Sequence, residues 1–369
     1  MSQIAYVLVL VLALISVGCS STRSVQTTAP ASSVSVELDS SEIFQVFSAT
    51  NNQHYRIRAR LPASYLMDTS KRYPIIIKLD GQWDFLLAAS AYNCVYFDGQ
   101  MPEAIVIGID WGDVEGDVHA IRARDLLPRA VKRYPNSGHA ATFVKVIAEE
   151  IIPELEKRYR LDGKRFLLGG SWSGVFATYA LLENPAVFDG AIAIGPGYDI
   201  GGEIMLQQIE AASRSQAYKD KRLYIGVGKW DPVAPSVLDY ATALIDANVP
   251  GLQFKLDQQE GFGHSGMNIP GYAGGYQYLF ARPRQSVSLE KLQALAGVYQ
   301  EENSDEQIRI SVQDQELVVE FSDGWILNLW PQAENNFYHP GFFYNIAFDG
   351  KVASVETFYG KSRYLHVSQ

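Results

Sequence analysis

The chain has 369 residues, with 31 Lys and Arg against 41 Asp and Glu for a formal net charge of −10. At about 150 residues per domain this length suggests two domains, with three possible, and 47% apolar against 20% charged residues excludes disorder over most of the chain. The acidic balance argues against nucleic acid as a partner, because phosphate binding depends on basic surface, and two cysteines, Cys19 and Cys94, are too few for a disulfide scaffold or a cysteine-based zinc site.

The first 22 residues carry no charged side chain, and Ile4 to Val17 is a nearly unbroken apolar run. A membrane-spanning helix needs about 20 such residues, so the run suits a signal peptide over residues 1–18. Gly18-Cys19-Ser20-Ser21 then resembles the lipobox of bacterial lipoproteins, in which the cysteine becomes the lipidated N-terminus. The other reading is a cleaved secretory signal with an incidental cysteine. Either exports the chain, and lipidation of Cys19 would anchor it to a membrane of the bacterial envelope, outer membrane or periplasm. Residues 19–36, rich in Ser, Thr, Ala and Val, are expected to be a flexible tether. Cys94 is expected to be a buried small hydrophobe.

Residues 37–284 are expected to form an α/β domain. Alternation around Asn51-Asn52 predicts an antiparallel hairpin between about Ile43 and Arg60. Ile75-Ile76-Ile77-Lys78-Leu79 and Ala104 to Ile109 are short apolar runs of the kind found in parallel strands buried on both faces. Helical spacing follows in 140–160 through Phe143, Val144, Ile147, Ile151 and Leu155. Further strands are predicted over 166–168, 191–194, 223–227 and 252–256, with helices over 175–182, 204–217, 237–247 and 272–280. Strands alternating with helices imply a mainly parallel sheet.

Beyond Pro283 the pattern changes. Ile308, Ile310 and Val312, then Leu317, Val319 and Phe321, alternate with polar residues. Residues 288–369 are therefore expected to be a separate small antiparallel β domain, a meander or barrel.

The chemistry centres on Gly169-Gly170-Ser171-Trp172-Ser173-Gly174, between a predicted strand and a predicted helix. A nucleophile elbow belongs at such a junction, because the serine sits on a strained turn and the helix must cross close to the strand, leaving room only for small neighbours. A Gly- and Ser-rich strand-to-helix loop is the other reading. An elbow serine requires a carboxylate and then a histidine, each after a later strand. Asp231 follows the strand 223–227 in Gly228-Lys229-Trp230-Asp231-Pro232, and His264 follows the last strand in Gly261-Phe262-Gly263-His264-Ser265-Gly266. Asp231 has the alternative of simply opening a turn before the next helix. Asp257 and Glu260 are substitute acids, though close to His264 in sequence. Of the six histidines only His264 meets the order rule.

These residues resemble the esterase family of α/β hydrolases that includes esterase D, siderophore esterases and feruloyl esterases, with mycolyltransferases more distant. The resemblance spans roughly Tyr55 to Arg282 and rests on Leu79-Asp80-Gly81, Arg122 to Pro128, Ser137-Gly138, Gly169 to Phe176, Leu182 to Pro185 with Phe188-Asp189-Gly190, and the His264 loop. Two positions depart from it: Gly170, where many relatives have His, and Ser173, where the pattern has Gly. It implies the α/β-hydrolase fold and a serine carboxylesterase with Ser171, Asp231 and His264 as catalytic residues. It also implies an oxyanion hole from the backbone N–H groups of Gln82 and Trp172. The substrate implied is a small-molecule or saccharide-linked ester. An acyltransferase using the same triad, or a non-catalytic binding protein with a degenerate elbow, are the alternatives. Trp83, Trp111, Trp172 and Trp230 adjoin predicted strand ends, where an α/β sheet binds ligands, and are expected either to line a cleft, Trp83 and Trp111 foremost, or to pack in the core. Arg122 and Arg124 either meet an acidic or phenolic substrate group, Arg124 being the candidate, or pair with nearby acids. No cofactor or metal is implied, since no His, Asp or Glu cluster shows ligand spacing. The C-terminal residues Gly297-Val298-Tyr299, Leu317 and Asp349-Gly350 resemble the small lipocalin-like β domain appended to some bacterial serine hydrolases.

Overall fold

A computed structural model describes residues 38–112 and 117–367. The proposed signal, the tether and Cys19 lie outside the described residues. The first strands, β1 (Ser41–Ser48) and β2 (Gln53–Arg60), form the predicted hairpin, with Ser41 opposite Arg60. They are followed by β3 (Tyr73–Leu79), α1 (Gly81–Phe97), β4 (Ile105–Asp110) and α2 (Val118–Leu126). A long helical stretch comprises α3 (Ala140–Val146), a π-helical turn (Ile147–Ile151) and α4 (Ile152–Arg158). Strand–helix alternation continues through β5 (Leu161–Gly170), α5 (Trp172–Glu183), β6 (Gly190–Ile194), α6 (Glu203–Ser213), β7 (Arg222–Gly228), α7 (Ala234–Ala247), β8 (Gln253–Gln259) and α8 (Asn268–Leu279).

These eight strands make one sheet in the order β1-β2-β4-β3-β5-β6-β7-β8. The pairs β1–β2 and β2–β4 are antiparallel, and the rest are parallel. All residues of β3, β4 and β6 are buried, as expected for parallel strands covered on both faces. Because side chains alternate along a strand, Ile75, Ile77 and Leu79 join the core under α3 to α7, while Ile76 joins the core under α1 and α8. That second core contains Phe85, Ala88, Tyr92, Tyr272 and Tyr276.

The helix α1 was not among the predicted elements, although Phe85, Ala88, Ala89 and Tyr92 have helical spacing. Outward-facing Leu86 and Phe97 make the segment apolar all round, which hides the period. This also corrects the expectation for Cys94: on the outer side of α1 its thiol is exposed and free.

After α9 (Leu289–Ala294), strands β9 (Gly297–Glu301), β10 (Gln307–Gln313), β11 (Glu316–Phe321), β12 (Ile326–Ala333), β13 (Asn336–Tyr338), β14 (Tyr344–Asp349), β15 (Val352–Thr357) and β16 (Gly360–Val367) form a closed antiparallel barrel. Its interior is packed with inward residues such as Tyr299, Ile310, Leu317, Leu329 and Ile346, together with Leu292 of α9; eight strands leave room for little else. Arg282 ties the barrel to the α/β body, donating to Asn345 Oδ1 (2.6 Å) and the Gly99 carbonyl (2.8 Å) with its guanidinium 3.9 Å from the Tyr338 ring centre.

Candidate active site

At the end of β5 the chain turns into α5 through Ser171, whose backbone lies at φ 58°, ψ −126°. Positive φ in a non-glycine residue is strained and persists only where its surroundings enforce it. Here the Ser171 N–H donates to the Ile194 carbonyl (2.8 Å) and α5 starts at once, with Val175 N–H donating back to the Ser171 carbonyl (3.1 Å). The first turn of α5 crosses so near β5 that a Cβ on Gly169 would lie 2.1 Å from the Ser173 carbonyl oxygen, which is the steric demand anticipated for an elbow. Ser173 is fully buried, and its hydroxyl donates to the Gly170 carbonyl (2.8 Å) and accepts from the Gly170 N–H (3.0 Å). Its side chain thus clasps the turn. At Gly170, a Cβ would come 3.2 Å from Asn268 Oδ1, a tight approach to a side-chain end.

Asp231 and His264 come together from the loops after β7 and β8. Asp231 is buried, and its Oδ2 lies 2.8 Å from His264 Nδ1. Its Oδ1 accepts from Val233 N–H (3.1 Å). The turn-opening role and the histidine-orienting role are therefore filled by different oxygens of one carboxylate. With Nδ1–H given to Asp231, the neutral ring keeps Nε2 as its acceptor. The substitute acids are engaged elsewhere, Asp257 with Tyr224 and Gln259, and Glu260 with Lys229. A cavity of about 510 Å³ is lined by both Ser171 and His264, with Trp83, Arg122, Asn268 and Ile269 among the other walls.

Gln82 and Trp172 stand in the first turns of α1 and α5, where backbone N–H groups have no acceptor within their own helix. Trp83 lines the cavity, half-exposed, with the Arg122 guanidinium 4.6 Å from its ring centre and His119 stacked at 5.9 Å. Arg122 also lies 5.1 Å from the Trp172 ring centre and makes two 2.7 Å bonds to Asp80. Trp111 and Arg124 do not line this cavity, which corrects their expected role. Trp111 is buried and donates to Asp125 Oδ2 (2.7 Å), while Arg124 donates to Asp125 Oδ1 (2.7 Å). A buried carboxylate requires such partners, and Asp125, which also accepts from Tyr55 (2.8 Å), uses both residues. Trp230 is exposed on the loop beside Phe262.

The sequence reading missed a second charged group at this cavity. Lys78, 1% exposed on β3, pairs with Asp84 Oδ1 at 2.6 Å. Asp84 Oδ2 accepts from Asn268 Nδ2 (3.2 Å) and from the Tyr272 hydroxyl. Burial, reinforced by the charge of Asp84, pushes the Tyr272 phenol far above its usual range, so it stays a donor. A lysine interrupting an apolar strand was the available signal.

The comparisons with known proteins agree with the sequence resemblance. The family model described as "Putative esterase" matches residues 48–243. The ferri-bacillibactin esterase BesA of Bacillus subtilis (strain 168) is 28% identical over 172 residues, 42% of this chain and 57% of that protein, so the match spans just over half of the relative's length. Among solved structures, the BES protein from Bacillus cereus superposes with a TM-score of 0.60 at 21% identity, covering 68% of this chain and 99% of that one. An IroE-like serine hydrolase from Shewanella oneidensis gives 0.58 at 22% identity, covering 65% and 80%. These likenesses carry the α/β-hydrolase fold, to which this chain adds its C-terminal barrel. With more than half of its residues matched by the family model, the chain belongs to the esterase family of α/β hydrolases.

Proposed function

We propose that this protein is a serine carboxylesterase working through Ser171, Asp231 and His264 and an acyl-enzyme intermediate. The observation that carries the reading is the strained backbone of Ser171 in a cavity that also receives the Asp231-oriented imidazole of His264. Ser171 Oγ attacks the ester carbonyl carbon and its proton passes to His264 Nε2, while Asp231 supports the imidazolium. The oxyanion is taken by the backbone N–H groups of Gln82 and Trp172, each such donor being worth about 3 kcal/mol in the transition state. His264 then protonates the departing alcohol, and water repeats the sequence to release the acid. Ser171→Ala removes the nucleophile and is expected to lower hydrolysis of a short p-nitrophenyl ester by at least about 10⁴-fold without shifting Tm. Undiminished turnover refutes the triad.

The substrate we propose is a small-molecule ester, with a siderophore ester first to be tried because the Bacillus subtilis relative is named as a ferri-bacillibactin esterase. Saccharide-linked acyl esters form the second arm of the panel. A relative rate on siderophore esters no higher than on p-nitrophenyl acetate counts against that choice. Export with a lipid anchor at Cys19 is supported by the apolar run ending in Gly18-Cys19. Metabolic labelling with a palmitate analogue should be lost in Cys19→Ser, and a wild-type chain that never labels refutes the anchor.

A further inference from the structure

The oxyanion donor assigned to Gln82 poses a mechanical question. The Gln82 side-chain amide is buried and neither Oε1 nor Nε2 has a hydrogen-bond partner among the described residues, so the side chain does not hold its own backbone in place. Its neighbours two residues away on either side do have partners. Asp80, in the left-handed region at φ 60°, is held by both 2.7 Å bonds from Arg122. Asp84 is held by Lys78, Tyr272 and Asn268.

Asp84 also departs from helical geometry within α1, at φ −140°, ψ 23°. The turn Gly81–Trp83 is thereby set off from the rest of the helix, and the bend brings the Asp84 carboxylate to Lys78 on the strand below. On the other side, Asn268 and Tyr272 open α8, whose start is bonded to the catalytic histidine's loop through Met267 N–H to the Gly263 carbonyl (3.3 Å) and Asn268 N–H to the Ser265 carbonyl (3.2 Å). One carboxylate, that of Asp84, therefore joins the turn that carries Gln82 both to Lys78 on β3 and, through Asn268 and Tyr272, to the segment that carries His264. Burying two charges is expensive, and an apolar pair of similar volume often does as well or better for stability. The arrangement makes more sense as a geometrical device than as a stabilising one.

We propose that Asp84, fixed by Lys78, is a positioning residue of the esterase site: it holds the first turn of α1 so that the Gln82 N–H points at the oxyanion. The inference rests on the esterase reading above. Neither Asp84 nor Lys78 exchanges a proton or an atom with the substrate.

The test measures kcat, KM, Tm and the rate at which a fluorophosphonate labels Ser171, because the phosphonyl oxygen occupies the oxyanion position. Asp84→Asn and Lys78→Met should each lower kcat for p-nitrophenyl butyrate by about 10- to 100-fold, less than the full loss of an oxyanion donor, with KM nearly unchanged. Labelling should slow by the same factor. The double variant Lys78→Met with Asp84→Leu leaves no unpaired buried charge, so it should recover Tm while kcat stays low. A purely electrostatic role for Lys78 predicts something else: Asp84→Asn would expose its charge to the oxyanion and raise kcat, while Lys78→Met would lower it. Opposite directions in the two variants, a loss confined to KM, or wild-type kcat in the double variant each overturn the proposal. If Asp84→Asn does not fold, Tyr272→Phe removes one bond to the same carboxylate and should still lower kcat several-fold at unchanged KM; wild-type kcat there overturns the proposal too. A wild-type protein that neither turns over nor labels sinks the esterase reading and this inference with it, whereas an active wild type with indifferent variants sinks this inference alone.

Discussion

Ser173 stands where the family pattern has glycine, and its role can be measured. Its hydroxyl makes two hydrogen bonds, 2.8 and 3.0 Å, to the carbonyl and N–H of Gly170, and it is fully buried. Ser173→Ala leaves both Gly170 groups without that partner. At about 1 kcal/mol for each lost bond, stability should fall by about 2 kcal/mol, or about 5 °C in Tm for a domain of this size. That loss is of the same order as the 1–3 kcal/mol or so stored in a strained residue, so the Ser171 turn should relax in part. We expect kcat to drop about 10-fold, since misplacing a nucleophile weakens the near-attack geometry. Ser173→Gly loses the same bonds and adds roughly 0.5 kcal/mol of helix propensity cost, so restoring the family residue should make this protein worse. The assays are calorimetric Tm and initial rates on p-nitrophenyl butyrate. A Ser173→Gly protein matching or exceeding wild type in both refutes the clasp and makes Ser173 a tolerated departure.

Gly195 lies at φ +52°, and a Cβ there would stand 2.8 Å from Asp231 Oδ2 and 3.3 Å from His264 Nδ1. Gly195→Ala should lower kcat about 10-fold or more through the displaced pair, with about 1–2 kcal/mol of backbone strain; an unchanged kcat would show that the pair tolerates the methyl. Burial alone would raise the Glu103 pKa, but hydrogen bonds from Lys71 and Ser64 outweigh it and hold the carboxyl below its usual value. A lowered folded pKa contributes stability above the unfolded value of about 4.3 and loses it as pH falls toward the folded one. The Tm advantage of wild type over Glu103→Gln, measured from pH 6 to pH 3, should therefore shrink below about pH 4.3; a constant difference rules the linkage out. The exposed thiol of Cys94 should react stoichiometrically with a maleimide in the folded protein and leave esterase activity intact, and protection until denaturation would contradict its placement.

Much of the fold was legible because the parallel strands carry their burial in composition. Ile75-Ile76-Ile77 and Ala191-Ile192-Ala193-Ile194 can be nothing but two-sided core, and alternation in Ile308 to Leu317 marks strands with one face inward. Helix α1 was hidden by its apolar outer face, and with it went the exposure of Cys94. The short α2 was hidden for another reason: it is capped by Asp117, which accepts from His119 N–H (2.8 Å), and buries the charged Arg122 and Asp125. A charged segment looks solvated until its partners are known.

The pairing of Asp231 with His264 was legible for a topological reason. Strand order forces successive loops of a parallel sheet onto one edge, so residues 33 positions apart in the chain meet without any local signature. Chain order is blind to what reaches the same edge from the other side of the sheet. Lys78, Asp84, Asn268 and Tyr272 span nearly 200 residues and meet only because α1 and α8 cover one face while α1 bends at Asp84. The misassigned Arg124 shows the same limit from the opposite direction. Arg122 and Arg124 are two residues apart and chemically identical, yet Arg122 faces Asp80 and the cavity, while Arg124 reaches Asp125 beside Tyr55 and Trp111. A helical step of about 100° per residue turns positions i and i+2 to opposite sides, so only one of the two could belong to the site. Asp80, which has a left-handed backbone and makes no side-chain cap to α1, takes both bonds from Arg122 and so decides which.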